Sequence, residues 1–453
     1  MTKIYDLLRY SDSIKDHIDD IEKVLRETEY SDSGRTSVSH AIRSRVQAEA
    51  GLALAENNTW GCIYIATGVG KSKIAINAIA NLDDSYQTPD KCLIVVPTEK
   101  LRDENWMEEF IKWDMLTHWE HTVQRCCYAS LNKYKNEHFD LVILDEGHNI
   151  TENNSEFFRN NTVHGCILLT ATKPRDPIKL QILKDLKLNP VYELSLDESV
   201  KLGLVSPYDI TIVTMQLDTR DKYIPAGSKA KPFMNTEKGQ YGYLSKRLSA
   251  MPNQKGFINR MRFIYNLKSK TQAAKWLLEN AIPKDLKTLI FSGSKNQADS
   301  LCEHRFYSKP SPPKKLDENK RYTPLQLVKY EKAMKEYRES LPEFQGDKFF
   351  NKFKDGSINR LSCVNALNEG HNIAMMDIAF IVQLDSNQQN FIQRIGRTLR
   401  FRAGHRGKII ILCCEDTVDK DWVAKATVSL STANITTVKL VNLQMEIEKL
   451  LFD

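Results

Sequence analysis

The stretch "ATGVGKS", Ala66 to Ser72, places two glycines, a lysine and a hydroxyl within seven residues. Gly68 and Gly70 can let backbone N–H groups close around phosphate oxygens, Lys71 can reach β- and γ-phosphates, and the Ser72 hydroxyl can ligate Mg²⁺. Ile65 stands where the common pattern G-x-x-x-x-G-K-[ST] has its first glycine, and an ordinary strand-to-helix turn would also explain the glycines alone. Two further constellations bear on the choice. In "DLVILDEGHNI", four apolar residues run into the adjacent carboxylates Asp145 and Glu146. Asp145 could hold Mg²⁺, Glu146 could orient and deprotonate an attacking water, and His148 could sense the γ-phosphate from the next loop. In "FIQRIGRTLR", Gln393, Arg394, Arg397 and Arg400 would share one helical face, with Gly396 permitting close approach. Alone, such a helix is a solvated or nucleic-acid-binding face; with the other two signals, its guanidinium groups suit arginine fingers that offset transition-state charge.

These residues need a scaffold that brings strand ends together, and the apolar pattern supplies one. "GCIYIA", "KCLIVVPT", "FDLVILDE" and "HGCILLTAT" are short apolar runs separated by helical or polar stretches, the rhythm of a parallel α/β sheet. "LKTLIFSG", "NRLSCVNAL", "MDIAFIVQL" and "GKIIILCCE" repeat it. The expectation is a helical extension over 1–40, a first α/β domain over 41–205, a basic helical connector over 206–282 and a second α/β domain over 283–453. A Pro- and Lys-rich stretch followed by a charged helix forms an insertion in the second domain, about 307–343.

Composition sets the class. With 453 residues, 41% hydrophobic and 27% charged, the chain has material for more than one core. It contains no apolar run approaching the ~20 residues of a membrane span, so a soluble, intracellular protein is expected. None of the nine cysteines forms a C-x-x-C pair, and several sit in apolar strands, which favours buried free thiols over a metal or disulfide framework. The net charge of +6 is unevenly spread: residues 220–275 hold thirteen Lys/Arg against Asp221 and Glu237. Interleaved aromatics make this segment a candidate polyanion surface, with Arg260, Arg262, Lys268 and Lys270 as contacts. A solvated helical face is the alternative.

In chain order, "ATGVGKS", "VVPTEKL", "YASL", "LDEGH", "LTAT", "LIFSG", "VNALNEGHNI" and "QRIGRTLR" resemble motifs I, Ia, Ib, II, III, IV, V and VI of superfamily 2 helicases. Motif I of that superfamily commonly lacks the leading glycine, so Ile65 is no defect. The resemblance implies two RecA-like domains in tandem that use ATP and Mg²⁺, with Thr67, Gly68, Val69, Gly70, Lys71 and Ser72 around the nucleotide. It implies that Gln47 contacts adenine and that Thr170 and Thr172 couple hydrolysis to movement. Pro97, Thr98, Ser130 and Ser292 would meet the nucleic-acid backbone, and Gly370 and Asn372 of motif V the nucleotide. Asn372 occupies a position often Asp, and the DEGH motif is neither DEAD nor DEAH, with Gly147 at the variable place.

"PTEKLRDENW", "TAT" and the Q-R-x-G-R-x-x-R ending look closer to the DNA-translocating branch, with phage UvsW-type and type I/III restriction-type motors, than to DEAD-box RNA helicases. The expected function is an ATP-dependent DNA motor of recombination, repair or replication, acting on single-stranded or branched DNA; the oligomeric state is left open, and a monomer is compatible with the sequence. An RNA helicase, or a nucleic-acid clamp that uses ATP only as a switch, are the alternatives.

Overall fold

The structure is a computed structural model. It describes residues 32–442 apart from 82–90, 229, 308–312, 314–315, 317–321, 344, 365–375, 385–390, 393, 397–398 and 400–403. The chain divides into two compact units, Met1–Tyr208 with Gln389–Arg406, and Asp209–Gln388 with Gly407–Asp453.

The first unit holds a six-stranded sheet in the order β3-β2-β4-β5-β1-β6. Its strands are β1 (Trp60–Ile65), β2 (Cys92–Val96), β3 (Val123–Cys127), β4 (His138–Asp145), β5 (Thr162–Thr170) and β6 (Pro190–Leu194). All pairings are parallel. A parallel sheet needs crossover helices on its faces, so its central strands are apolar on both sides. β2 is buried throughout, and β1 is buried from Gly61 onward. One core face joins Tyr64, Leu93, Val95, Phe139, Leu144, Phe157 and Leu168. Because the strands are parallel, Ile65, Val96, Cys127, Asp145 and Thr170 all end at one edge of the sheet, where α/β folds gather ligands.

The second unit holds a seven-stranded sheet, β11-β12-β10-β13-β14-β7-β15. These are β7 (Tyr208–Met215), β10 (Thr288–Phe291), β11 (Arg305–Tyr307), β12 (Arg360–Val364), β13 (Ile378–Ile381), β14 (Gly407–Cys414) and β15 (Ile435–Lys439); β8 (Ile224–Ser228) and β9 (Lys231–Asn235) form a separate antiparallel hairpin. The segment 206–282 is more than a connector. Its β7 enters the second sheet beside β15, and its helices Gln254–Tyr265 and Lys268–Asn280 bury Ile264, Ala274 and Leu277 in the same core as Ile290 and Phe380. In the insertion, the helix Pro324–Glu343 leaves Leu325 and Val328 exposed. No helix among the described residues is long and apolar enough to cross a membrane.

One of the four basic residues expected on the polyanion surface belongs to this core. Lys270 is fully buried: its Nζ donates to Asp419 Oδ2 at 2.5 Å and to Gln383 Oε1 at 2.9 Å, and Asp419 Oδ2 also accepts the Cys414 N–H at 3.0 Å. A phosphate cannot reach an ammonium whose counterion already encloses it, so Lys270 is a structural cation. Removing one partner of a buried pair strands the other charge, so Lys270→Met should cost about 3–5 kcal/mol in urea unfolding of the second unit. Lys268→Met, two residues away and exposed, should stay within about 0.5 kcal/mol.

Candidate functional site

The loop after β1 is built by two backbone positions that L side chains rarely adopt. Gly68 has φ 92° and Gly70 φ 106°, both in the left-handed region open to glycine. Gly70 caps the helix Lys71–Ala80 with no side-chain hydrogen bond to its first turn. The first N–H groups of this helix therefore have no side-chain acceptor, the arrangement that receives an anion. Gln47, on the helix Asp32–Glu56, donates from Nε2 to the Val69 carbonyl at 2.9 Å, and a Cβ on Gly70 would lie 2.2 Å from that nitrogen. In this conformation Gln47 supports the loop itself. Lys71 Nζ donates to the Ile65 carbonyl at 3.3 Å, a neutral partner, and the Thr67 Oγ1 is buried with no hydrogen-bond partner among the described residues. Ser72 is half-buried in the first helical turn.

At the end of β4, Asp145 is gripped from several sides. Trp106 Nε1 donates to its Oδ2 at 2.9 Å, the Glu146 N–H donates to Oδ1 at 2.9 Å, and the Tyr128 hydroxyl donates to its carbonyl at 2.9 Å. Burial and the neighbouring Glu146 charge push its carboxyl up to about 7, against the pull of the Lys71 ammonium and the two N–H donors. A carboxylate raised in this way favours a bound cation. Glu146 has φ 47°, a left-handed backbone unusual for a side-chain-bearing residue. Its Oε2 is buried, 3.4 Å from His148 Nδ1, with no hydrogen-bond partner among the described residues. A general base needs such an oxygen, uncommitted to another donor, to take a water's proton.

His148 connects two motifs. Its Nδ1 is hydrogen-bonded to Thr170 Oγ1 at 3.1 Å, its Nε2 lies 3.3 Å from Asn149 Nδ2, and its carbonyl accepts Lys179 Nζ. Thr170 is fully buried and Thr172 half-buried; the Thr170 hydroxyl also lies 3.5 Å from the Thr172 carbonyl. Gly147 has a steric reason: a Cβ there would fall 2.2 Å from Leu168 Cγ on β5. The unusual DEGH motif therefore goes with a leucine on the neighbouring strand.

Pro97 and Thr98 follow β2 and Ser130 lies just after β3; Thr98 is exposed and Ser130 half-buried. Thr98 Oγ1 accepts the Leu101 N–H at 3.3 Å, at the start of a π-helical turn, Leu101–Asn105. Ser292, expected as a nucleic-acid contact, is buried, its hydroxyl hydrogen-bonded to Ser362 Oγ at 2.9 Å. Arg262 and Lys268 are exposed and Arg260 is half-buried, with Phe257 and Tyr243 exposed beside them in sequence. Gly370, Asn372, Gln393, Arg397 and Arg400 lie outside the described residues. Gly396 of the same motif approaches the phosphate loop within the first unit, where a Cβ would meet Thr67 Cβ at 2.9 Å. Trp106, Tyr128 and Lys179 also belong to the cluster around Asp145 and His148, although no motif assigns them a role. Trp106 carries a general signal: a buried tryptophan needs an acceptor for its indole N–H.

Comparison with known proteins agrees with this architecture. The family "Helicase conserved C-terminal domain" matches residues 269–402, and "Type III restriction enzyme, res subunit" matches 21–123, together just over half of the chain. No curated protein matches the sequence. Among solved structures, S. cerevisiae Dbp5 bound to RNA and ADP BeF3 has a similar fold, with 12% identity, TM-score 0.51, and coverage of 90% of this chain and 93% of that one. The type ISP restriction-modification enzyme LlaBIII bound to DNA is similar at 12% identity and TM-score 0.51; the match covers 89% of this chain and 32% of that enzyme. A fragment of an HsdR subunit of a type I restriction enzyme from Vibrio vulnificus aligns at 14% identity and TM-score 0.52, over 88% of this chain and 68% of that one.

Two outcomes follow from the crowding at Asp145–Gly147. Gly147→Ala should cost about 1–3 kcal/mol and lower ATP turnover, with a smaller cost in a Leu168→Ala background, measured by paired melts. In the metal-free chain the raised Asp145 value contributes stability that is complete below its ordinary 3.8 and lost as pH rises through about 7. Asp145→Asn should remove that component from a stability-versus-pH profile.

Proposed function

We propose that this chain, which belongs to the superfamily 2 helicases, is an ATP-driven translocase that acts on DNA, remodelling single-stranded or branched substrates. The observation that carries the reading is the shared sheet edge. There the Lys71 loop, with its uncapped helix and two left-handed glycines, lies at the same edge as the Asp145–Glu146 pair, whose Glu146 Oε2 lacks a hydrogen-bond donor among the described residues. Thr67, Val69 and the N–H groups up to Ser72 surround the polyphosphate, and Lys71 moves from the Ile65 carbonyl to the β/γ oxygens. Ser72 and Asp145 would hold Mg²⁺, which supplies charge neutralisation on those oxygens when bound. Glu146 aligns a water with the γ-phosphorus and takes its proton as the new P–O bond forms and the β–γ bridging bond breaks. Arg397 and Arg400 carry the finger role, with Gln393 of the same motif beside the transferred phosphate, supported by the approach of Gly396 to Thr67. The His148–Thr170 hydrogen bond gives the hydrolysis site a mechanical link to the third motif.

Nucleic acid is held by Pro97, Thr98 and Ser130 at the first sheet edge and by Arg260, Arg262 and Lys268 on the second unit. Lys268 also lines an open cleft of about 430 Å³, together with Lys275, Asn266, Thr271, Gln297 and Ser300. The restriction-subunit match over 21–123 favours DNA. The fold shared with RNA-bound Dbp5 keeps an RNA substrate as the competing reading.

ATPase and unwinding assays on matched DNA and RNA substrates test the proposal. Lys71→Ala should abolish hydrolysis with the fold intact, and Glu146→Gln should bind ATP but stall; normal turnover by either would overturn the site. Neutralising Arg260, Arg262 and Lys268 should flatten the log–log salt dependence by ~0.7 per lost contact on a single strand. Stimulation by RNA alone would select the competing reading.

A further inference from the structure

A second cluster of chemically capable side chains lies toward the opposite edge of the first sheet, at the beginnings of β4 and β5. His138 and Asp140 are two residues apart on β4 and so share a face. The parallel register pairs His138 with Thr162 and Leu141 with Gly165, which brings His164 level with Asp140. His138 Nε2 lies 3.1 Å and His164 Nδ1 3.6 Å from one oxygen, Asp140 Oδ1. The three donor atoms fall within 4.8 Å of one another, and the imidazole rings meet edge-on at 4.4 Å. The other carboxylate oxygen, Oδ2, accepts the Lys91 backbone N–H at 3.0 Å. That bond orients the carboxylate with Oδ1 toward both rings.

We propose that His138, Asp140 and His164 form a binding site for a zinc-class divalent cation, with solvent completing the coordination. Bonds of ~2.0–2.1 Å in a tetrahedron place neighbouring donors ~3.3 Å apart, and the two separations from Asp140 Oδ1 lie on either side of that value. Two imidazoles and one carboxylate suit zinc, whereas Mg²⁺ prefers an all-oxygen shell with retained waters. The site is therefore chemically distinct from the Ser72–Asp145 pair at the other end of β4. Half-exposed imidazoles, 50% for His138 and 44% for His164, are open to an ion from solvent. The competing soft ligands are withheld: seven of the nine cysteines are buried, and burial pushes the Cys126, Cys413 and Cys414 thiols up to about 12. The ion would pin β4 to β5 at their starts; the same two strands end at Asp145 and Thr170. It acts as a staple beneath the hydrolysis site and takes no part in the reaction.

The full chain, stripped with chelator, is titrated with ZnCl₂ by calorimetry and with CoCl₂ by visible absorption. One site per chain is expected, with the intense absorption of tetrahedral cobalt, a raised melting temperature on zinc addition, and no competition from excess Mg²⁺. His138→Ala and His164→Ala should each weaken zinc binding by about 10-fold or more. Asp140→Asn should do the same while keeping an acceptor for the Lys91 N–H, which separates loss of a ligand from loss of structure. Unchanged affinity and stoichiometry in the His138→Ala/His164→Ala chain, or no zinc binding by the unmodified chain, would overturn the site. Either result leaves the ATPase assignment standing, because Lys71 and Glu146 are tested by turnover.

Discussion

The first unit depends on a backbone constraint at one sheet edge: the chain must enter the left-handed region at Gly68, Gly70 and Glu146. Glycine adopts that conformation freely, and a side-chain-bearing residue does so at a cost of order 1–3 kcal/mol. At the loop, the conformation turns N–H groups inward and lets Gln47 Nε2 approach where a Cβ would otherwise stand. At Glu146 the same conformation bends the chain sharply after β4, and it is imposed on a residue that needs its carboxylate. A glycine there would relieve the strain and remove the carboxylate proposed as the base. The surroundings must hold the strained form, and they do so by crowding: Leu168 occupies the space beside Gly147, and His148 is tied to Thr170.

That crowding ties β5 to the candidate site although none of the proposed catalytic side chains lies on it. It contributes Leu168 against Gly147 and Thr170 against His148, and it lies between β4 and β1 in the sheet. A shift of β5 along its axis would move Leu168 and Thr170 together and so disturb both carboxylates.

Much of this was legible in the sequence because it is local. A buried parallel strand is a run of apolar residues, and "GCIYIA" and "FDLVILDE" are such runs followed at once by the loop or the carboxylates they present. Contacts distant in sequence were not legible. Asp419 meets Lys270 from 149 positions away, and nothing near Lys270 in the sequence distinguishes it from the exposed Lys268. β7 pairs with β15 across more than two hundred residues, so 206–282 looked like a linker between sheets when its first strand belongs to one of them. Ser292 sits at the end of β10 as a motif serine should, but its hydrogen bond to Ser362 on the adjacent β12 could not be read from the sequence. Trp106 was visible as a residue and invisible as a hydrogen-bond donor to Asp145, since the helix Trp106–Lys112 meets the end of β4 only in the folded chain.

Lys71 and Lys270 show what separates a functional cation from a structural one. Both are lysines at the start of helices, and both contribute equally to a count of charge. Lys270 has a carboxylate at 2.5 Å and an amide oxygen at 2.9 Å, so its charge is neutralised inside the protein. Lys71 hydrogen-bonds a neutral carbonyl, while its field reaches Asp145 and lowers that carboxyl against the rise from burial. An ammonium held by a carbonyl gives it up readily to a phosphate, because the exchange gains a charge-assisted bond and loses a neutral one. An ammonium held by a buried carboxylate gains nothing and would leave a bare anion behind. The counterion, more than the cation, therefore decides which basic residues of this chain are free to act.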